Sequence, residues 1–418
     1  MSLGRRELLI LGSSTLALLG ASAAATSAAL QPDVKQLMGD GKYAVIADLQ
    51  QLYDGRMLPD VAVATLSHTD QLLPVGIVQR GGPARLLPRR ARPFPEIHFE
   101  DHGRRFDLHD YLATNRVAGL LVLKNGEIAL EDYELGIGPD TRWASFSMAK
   151  SVASTLVGAA LVDGLIASLD DPVVRYVPAL RGGAYQGVSI RQVMTMSSGV
   201  RWDETYTDPH SDRRKVLELQ IAGKAGEVLR YMASLPRAAA PGSLWNYSTG
   251  ETYVLGAVLA GATHKPLMQY LSEKIWSRAG MEQDATWWLD GPHGLAWGGG
   301  GIAATLRDYG RFGLLAADQG RLDGQLIVPA GWFAEAGVSH VIGGKSVDYG
   351  YLWWIPPQTD PIHAGAFEAI GIFGQYLYVN PRERLVIVVL SARSKPTRAT
   401  RFDLDDDAFF SAVATALH

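Results

Sequence analysis

Ser147-Met148-Ala149-Lys150 runs directly into Ser151-Val152-Ala153-Ser154-Thr155-Leu156-Val157-Gly158-Ala159-Ala160-Leu161-Val162 and stops at Asp163-Gly164. The run is small, apolar and helical in period, with a stop signal at its end. A helix sets residues three apart on one face, so the Ser147 hydroxyl and the Lys150 amine fall within hydrogen-bond reach. The unpaired N–H groups of the first turn lie nearby. Together these supply a nucleophile, a base and half an oxyanion hole. The pattern S-x-x-K alone turns up about once by chance in a chain of this length, so its context decides. A plainer reading makes Ser147 an ordinary first-turn residue and Lys150 a solvated charge. Against it, Lys150 stands between Ala149 and Ser151 on a helix with no evident wet face.

Working outward, the 418 residues are 47% hydrophobic and 20% charged, enough for one or two substantial cores. The formal charge of −4 argues against a nucleic-acid partner, and the basic stretch from Arg85 to Arg92 is broken by Pro88. The absence of cysteine excludes disulfides, thiolate metal sites and a cysteine nucleophile. Arg5-Arg6, an apolar stretch from Leu8 to Leu19 and then Ala21-Ser22-Ala23 predict a signal peptide over residues 1–30. It resembles the twin-arginine class, with Gly4 where that motif has Ser or Thr, and implies export, to the periplasm. No other segment is long and apolar enough to cross a bilayer, so no stable membrane span is expected after the leader is removed.

Residues 31–110 read as an N-terminal extension and linker, Pro-, Arg- and Gly-rich from Gln79 to Pro95, and residues 111–418 as the main domain. A hairpin is expected from Val117 to Leu123 and Ile128 to Leu135 around Asn125-Gly126, a type I′ signal. From Ile166 to about residue 330 the pattern is helical, an inserted helical lobe. Strands follow at Tyr349 to Ile355, Phe367 to Gly371, Gln375 to Val379 and Leu385 to Leu390, then a last helix from Asp405 to Leu417. This is an α+β arrangement, one antiparallel sheet built and flanked by both chain ends, with a cleft between sheet and lobe as the default site.

A lysine with an ordinary pKa of about 10.4 must drop by roughly 3 units, or about 4 kcal/mol, to act as a base at neutral pH. A partner for it stands in Trp245-Asn246-Tyr247-Ser248-Thr249-Gly250-Glu251, where Ser248 and Glu251 form a capping-box pattern. Tyr247 then projects from just outside a helix start, placed to relay a proton. As an isolated tyrosine it could equally be a packing aromatic.

In order along the chain, the S-x-x-K helix, Gly164 to Pro172, Ile190 to Val200, Tyr247-Ser248, the Gly298 to Gly301 run and Gly371-Ile372-Phe373-Gly374-Gln375 resemble the serine β-lactamase and penicillin-recognising hydrolases. The likeness runs from about Val117 to the C-terminus and is strongest to the branch related to 6-aminohexanoate-dimer hydrolase and its esterase relatives. It implies a β-lactamase/transpeptidase-like fold, Ser147 as the acylated nucleophile, and Lys150 and Tyr247 as its proton-transfer partners. It further implies an oxyanion hole from the backbone N–H groups of Ser147 and Ile372, no cofactor and no metal, and a small-molecule amide or ester as substrate. Ile370 and Gly371 would flank the substrate on the edge strand, and Tyr206, in the loop Trp202 to Pro209, would close over it. Where β-lactam enzymes carry Lys-Thr-Gly, this chain has Ala369-Ile370-Gly371, without the cation and hydroxyl that hold a β-lactam carboxylate. Thr249 stands where a Tyr-x-Asn motif has Asn. A serine hydrolase of linear amides or small esters is therefore expected; a β-lactamase or penicillin-binding D-amino-acid peptidase, and a non-catalytic binding protein of the same fold, are the alternatives.

Other constellations are weaker. His98 and His102 have the spacing of a zinc helix, but Phe99 stands where that motif needs Glu. The glycines at 298 to 301 lack a Walker lysine, and no G-x-S-x-G elbow is present.

Overall fold

Asn125 and Gly126 both adopt positive φ, 57° and 82°, as a type I′ turn requires, and the hairpin they close lies in the central sheet. The computed structural model describes residues 45–397 and 400–418, so the leader expected over residues 1–30, and the first part of the extension, lie outside the described residues. The sheet has five antiparallel strands in the order Phe367–Gly371, Gln375–Asn380, Leu385–Ser391, Val117–Lys124 and Glu127–Tyr133. Both ends of the chain thus build one sheet.

Leu385–Ser391 and Val117–Lys124 are buried along their whole length, which explains their unbroken apolar sequence. Alternate residues face opposite layers. Leu120, Val122, Ile387 and Val389 join Tyr111 and the C-terminal helix Asp406–Ala416 through Phe409 and Phe410. Leu121, Leu123, Val386 and Val388 join Phe312 and Leu315 of helix Leu306–Ala317 in the larger core. Each such side chain, fully buried, contributes about 1.5–3 kcal/mol. Asp405 caps the last helix through Asp407 N and Ala408 N, as its acidic start suggested.

The helix Met148–Val162 lies between this sheet and the lobe, packing on helix Thr249–Thr263 and on the edge strand Phe367–Gly371. The lobe is helical through Ile190–Met194, Asp212–Ala222, Glu227–Ser234 and Thr249–Thr263. Beyond these, Ala285–Trp288 and Ile302–Ala304 form a second sheet with Trp143–Ala144 and with Val75–Val78 from the extension. Short apolar runs such as Ala-Thr-Trp-Trp carry no decisive period, so strand and buried helix look alike in sequence.

One expected strand is absent. Tyr349 to Ile355 is a bent segment with Leu352 at φ 61°. Its polar backbone is spent elsewhere: Leu352 N donates to Met194 O, Tyr351 N to Ala336 O, and Leu352 O accepts from Ser151 Oγ at 2.6 Å. Only Trp354 pairs with the sheet, through both its N–H and its carbonyl to Glu368. The segment read as a linker contains the hairpin His98–Asp101 and Arg104–Asp107, whose Phe99 packs edge-on against Phe409. His98 and His102 therefore sit on a strand and its turn, not on a helix.

Candidate active site

Ser147 occupies the N-cap position of its helix with helical backbone angles, and its side chain caps nothing. The hydroxyl is thereby left for Lys150, whose Nζ lies 2.9 Å from Ser147 Oγ. The residue before it, Phe146, is held at φ 43°. A non-glycine residue there costs about 1 kcal/mol, offset by its ring packing on Phe373 and Trp288. Neither Ser147 N–H nor Ile372 N–H has an intramolecular acceptor among the described residues, and both residues line one cavity. Two unengaged donors on residues that share a cavity with a serine hydroxyl are what an oxyanion hole requires.

Ile372 is placed by the turn that follows the edge strand. Gln375 holds this turn, accepting from Phe373 N at 3.1 Å while its amide donates to Ser391 O. Gly371 has to be glycine, since a Cβ there would stand 2.6 Å from Ser145 O. The edge strand can therefore press directly on the segment leading to Ser147. Ile370 is not among the residues that line the cavity with Ser147. Its side chain belongs to the cluster beneath the C-terminal helix, which leaves its backbone as the part that can flank a substrate. Backbone direction alternates along a strand, and Ile370 presents its N–H and carbonyl to the same outer edge on which Glu368 meets Trp354.

Lys150 is 1% exposed and bonded on three sides, to Ser147 Oγ, to Thr249 Oγ1 at 3.1 Å and to Gly299 O at 2.8 Å. Burial lowers its pKa to about 7, with the Glu204 carboxylate opposing and Arg213 assisting. A neutral amine suits these partners: two N–H groups donate to Thr249 and Gly299, and the lone pair receives the Ser147 proton. The glycine run supplies that carbonyl because a Cβ at Gly299 would collide with Thr252 Oγ1 at 2.5 Å.

Tyr247 leans on the same serine, with Lys150 Nζ 5.0 Å from its ring centroid and Trp354 stacked on the ring at 5.5 Å. Burial, and then the Glu204 charge, raise its pKa well above that of an ordinary phenol, against a hydrogen bond with Ser147 that lowers it. That direction keeps the phenol neutral and suits it to donate, and leaves Lys150 as the candidate base. Tyr206 lines the cavity with Ser147 and stacks on Tyr53 at 6.2 Å. Its loop is tied down by Ser211 Oγ to Thr205 O and by Arg214 to Tyr206 O.

The sequence did not disclose Glu204. Its carboxylate accepts from Thr249 N at 2.8 Å, from Thr249 Oγ1 and from Trp202 Nε1. Thr249 therefore links Lys150 to Glu204 from the position where a Tyr-x-Asn motif has Asn. Ser248 caps helix Thr249–Thr263 by accepting from Glu251 N, but only half of the expected capping box forms. The Glu251 carboxyl turns inward to Ser198 and Tyr185, and burial raises its pKa to about 8. Its folded pKa lies above the unfolded value of 4.5, so its contribution is present at acid pH and is lost as pH rises through 8. Glu251→Gln should remove about 1.4 kcal/mol of the stability lost between pH 7 and pH 9, read as denaturant midpoints at the two pH values. Equal losses in both proteins would refute this.

Comparison with known proteins gives a consistent picture. A family model described as Beta-lactamase matches residues 109–410. The 6-aminohexanoate-dimer hydrolase of Paenarthrobacter ureafaciens is 30% identical over 347 residues, 78% of this chain and 84% of that protein. Esterase EstB of Burkholderia gladioli is 31% identical over 188 residues, 41% of this chain and 47% of that one. A solved structure from Bacillus anthracis, described as a 6-aminohexanoate-dimer hydrolase, superposes with a TM-score of 0.72 at 23% identity, covering 85% of this chain and 92% of its own.

Proposed function

The chain belongs to the beta-lactamase family and is a serine hydrolase, and from that premise we propose that it cleaves linear amides or small esters through an acyl-enzyme on Ser147. The observation that carries this is the buried Lys150 amine, 2.9 Å from a serine hydroxyl that borders two unengaged N–H donors. Lys150 takes the Ser147 proton as Oγ attacks the carbonyl carbon, and the N–H groups of Ser147 and Ile372 hold the oxyanion. As the tetrahedral intermediate collapses, Tyr247 gives its proton to the leaving nitrogen or oxygen and is reprotonated by the Lys150 ammonium. Water then attacks the ester under the same base, releasing the acid and Ser147. Among the described residues no helix is long and apolar enough to cross a membrane.

The experiment is a panel of p-nitrophenyl esters, 6-aminohexanoate oligomers and nitrocefin, with trapping of the acyl-enzyme by intact mass. Esters or linear amides should turn over with an acyl adduct on Ser147, and Tyr247→Phe should slow its formation by about 10²-fold while leaving the fold intact. Nitrocefin as the fastest substrate would establish the β-lactamase alternative, which Ala369-Ile370 disfavours. Unchanged burst kinetics in Tyr247→Phe would remove the phenol from the mechanism. The reading of residues 1–30 as a leader extends the proposal to place: the mature protein is expected in the periplasmic fraction, and recovery with the cytosol at full length would refute it.

A further inference from the structure

The neutral Lys150 amine has one lone pair, and it points at Ser147 only if the other two neighbours of Nζ both accept. Gly299 O, at 2.8 Å, can act in no other way. Thr249 Oγ1, at 3.1 Å, can: a hydroxyl meets an amine either as acceptor, through its own lone pairs, or as donor, through its proton. As a donor it would occupy the lone pair that has to receive the Ser147 proton, and an N–H of Lys150 would turn to Ser147 Oγ instead. The direction of the base therefore depends on where Thr249 sends its proton.

Glu204 takes that proton's hydrogen bond. Its Oε1 accepts from Thr249 Oγ1, and its Oε2 accepts from Thr249 N at 2.8 Å and from Trp202 Nε1. The Tyr206 phenol bonds to the same carboxylate. Thr249 is 3% exposed and opens the helix Thr249–Thr263, whose first-turn N–H groups favour an anion beside them. With its proton engaged by a carboxylate oxygen, Thr249 meets Lys150 through lone pairs alone. Both protons of the amine then go to Thr249 and Gly299, and its lone pair is left to Ser147. An amide could not replace the carboxylate. With its oxygen towards Thr249 Oγ1, its NH2 would confront the N–H donors of Thr249 and Trp202. With its oxygen towards those two, its NH2 would donate to Thr249 Oγ1 and send the threonine proton to Lys150.

We propose that Glu204 is a positioning residue that fixes the direction of the Thr249 hydroxyl and thereby aims the Lys150 lone pair at Ser147. This deepens the acyl-enzyme reading and rests on it. It is separate from the effect of the Glu204 charge, which sets the pH at which the amine becomes neutral; the aim sets how fast the neutral amine works.

The test is a double-mutant cycle on the plateau of kcat/KM for a p-nitrophenyl ester at about pH 9, above the acid limb, with rates taken per folded molecule from near-UV circular dichroism. Glu204→Gln should lower this plateau by about 10- to 100-fold, although its amine is at least as fully neutral as that of wild type. Thr249→Val, which has no hydroxyl to turn, should itself lose about tenfold, and in that background Glu204→Gln should cost no more than about threefold. Thr249→Ser keeps the hydroxyl and should restore the full cost of Glu204→Gln. Loss of charge, or loosening of the loop Trp202 to Pro209, acts alike in both backgrounds and cannot imitate this coupling. If the cost of Glu204→Gln beside Thr249 exceeds its cost beside valine by less than about threefold, the proposal is overturned. Fluorophosphonate labelling of Ser147 in wild type reports separately on the acyl-enzyme reading: if wild type neither labels nor turns over the ester, it is that reading that has failed.

Discussion

Ser147→Ala is expected to lower kcat by about 10⁴- to 10⁶-fold and to leave the thermal midpoint within a few degrees of wild type. The two expectations have one cause. Ser147 Oγ caps no helix and is bonded within the Lys150 and Tyr247 cluster alone, so removing it deletes the nucleophile and little of the structure. The residual rate should exceed that in water, because the Ser147 and Ile372 N–H groups are backbone and survive the substitution. Steady-state hydrolysis of a p-nitrophenyl ester, with fluorophosphonate labelling to show that no wild-type enzyme contaminates the variant, measures the first, and a thermal melt measures the second. Full turnover by Ser147→Ala would end the assignment of this residue as nucleophile.

Lys150→Ala should cost on the order of 10⁴-fold in kcat/KM, and it should also change the shape of the pH profile. Wild type requires the neutral amine, so its rate should climb about tenfold per pH unit up to about 7 and level off above, whereas the variant should lack that limb. Glu204→Gln removes the charge that raises this pKa, so the limb should move to lower pH. Stability responds in the opposite sense to activity. The folded pKa of Lys150 is depressed below the unfolded 10.5, so burying it destabilises the fold progressively as pH falls from 10.5 to about 7, and by a constant amount below. The neutral, similarly shaped Lys150→Met should therefore unfold at a higher temperature than wild type, with the gain largest at acid pH. An unchanged acid limb in a Lys150 variant that still turns over would assign the base elsewhere.

The nucleophile helix, the hairpin and the C-terminal strands were legible because each rests on local signals: a stop at Asp163-Gly164, Asn125-Gly126, and uninterrupted β-branched runs. Ile372 and Tyr206 were legible through the order of motifs in a family, and the structure lines one cavity with them and Ser147. What stayed hidden was long-range. Glu204 reads as a loop acid, and Asp212-Arg213-Arg214-Lys215 reads as a solvated helix start, yet Asp212, Arg213 and Arg214 are buried. Their burial is created by Tyr53, Asp54 and Trp297, none of which is near them in sequence. Tyr349 to Ile355 misled for the reverse reason. Its composition suits a strand, but contacts with Ser151, Met194 and Ala336 capture its backbone first.

The strand Val75–Val78 has a consequence for how the gene can be cut. The family match begins at residue 109, and a truncation there would look like a clean removal of foreign sequence. It would strip the partner from Ala285–Trp288, leaving a tryptophan-rich strand with an open row of backbone donors and acceptors, the kind of edge that recruits other chains. It would also take away Tyr53, and with it the hydrogen bond that the buried Arg213 side chain donates to the phenol. A shortened protein of this kind should clump during expression, read as its share in the insoluble fraction. The portion of the chain that precedes the family match is what pairs this strand and, through Tyr53, closes one wall of the cavity beside Ser147.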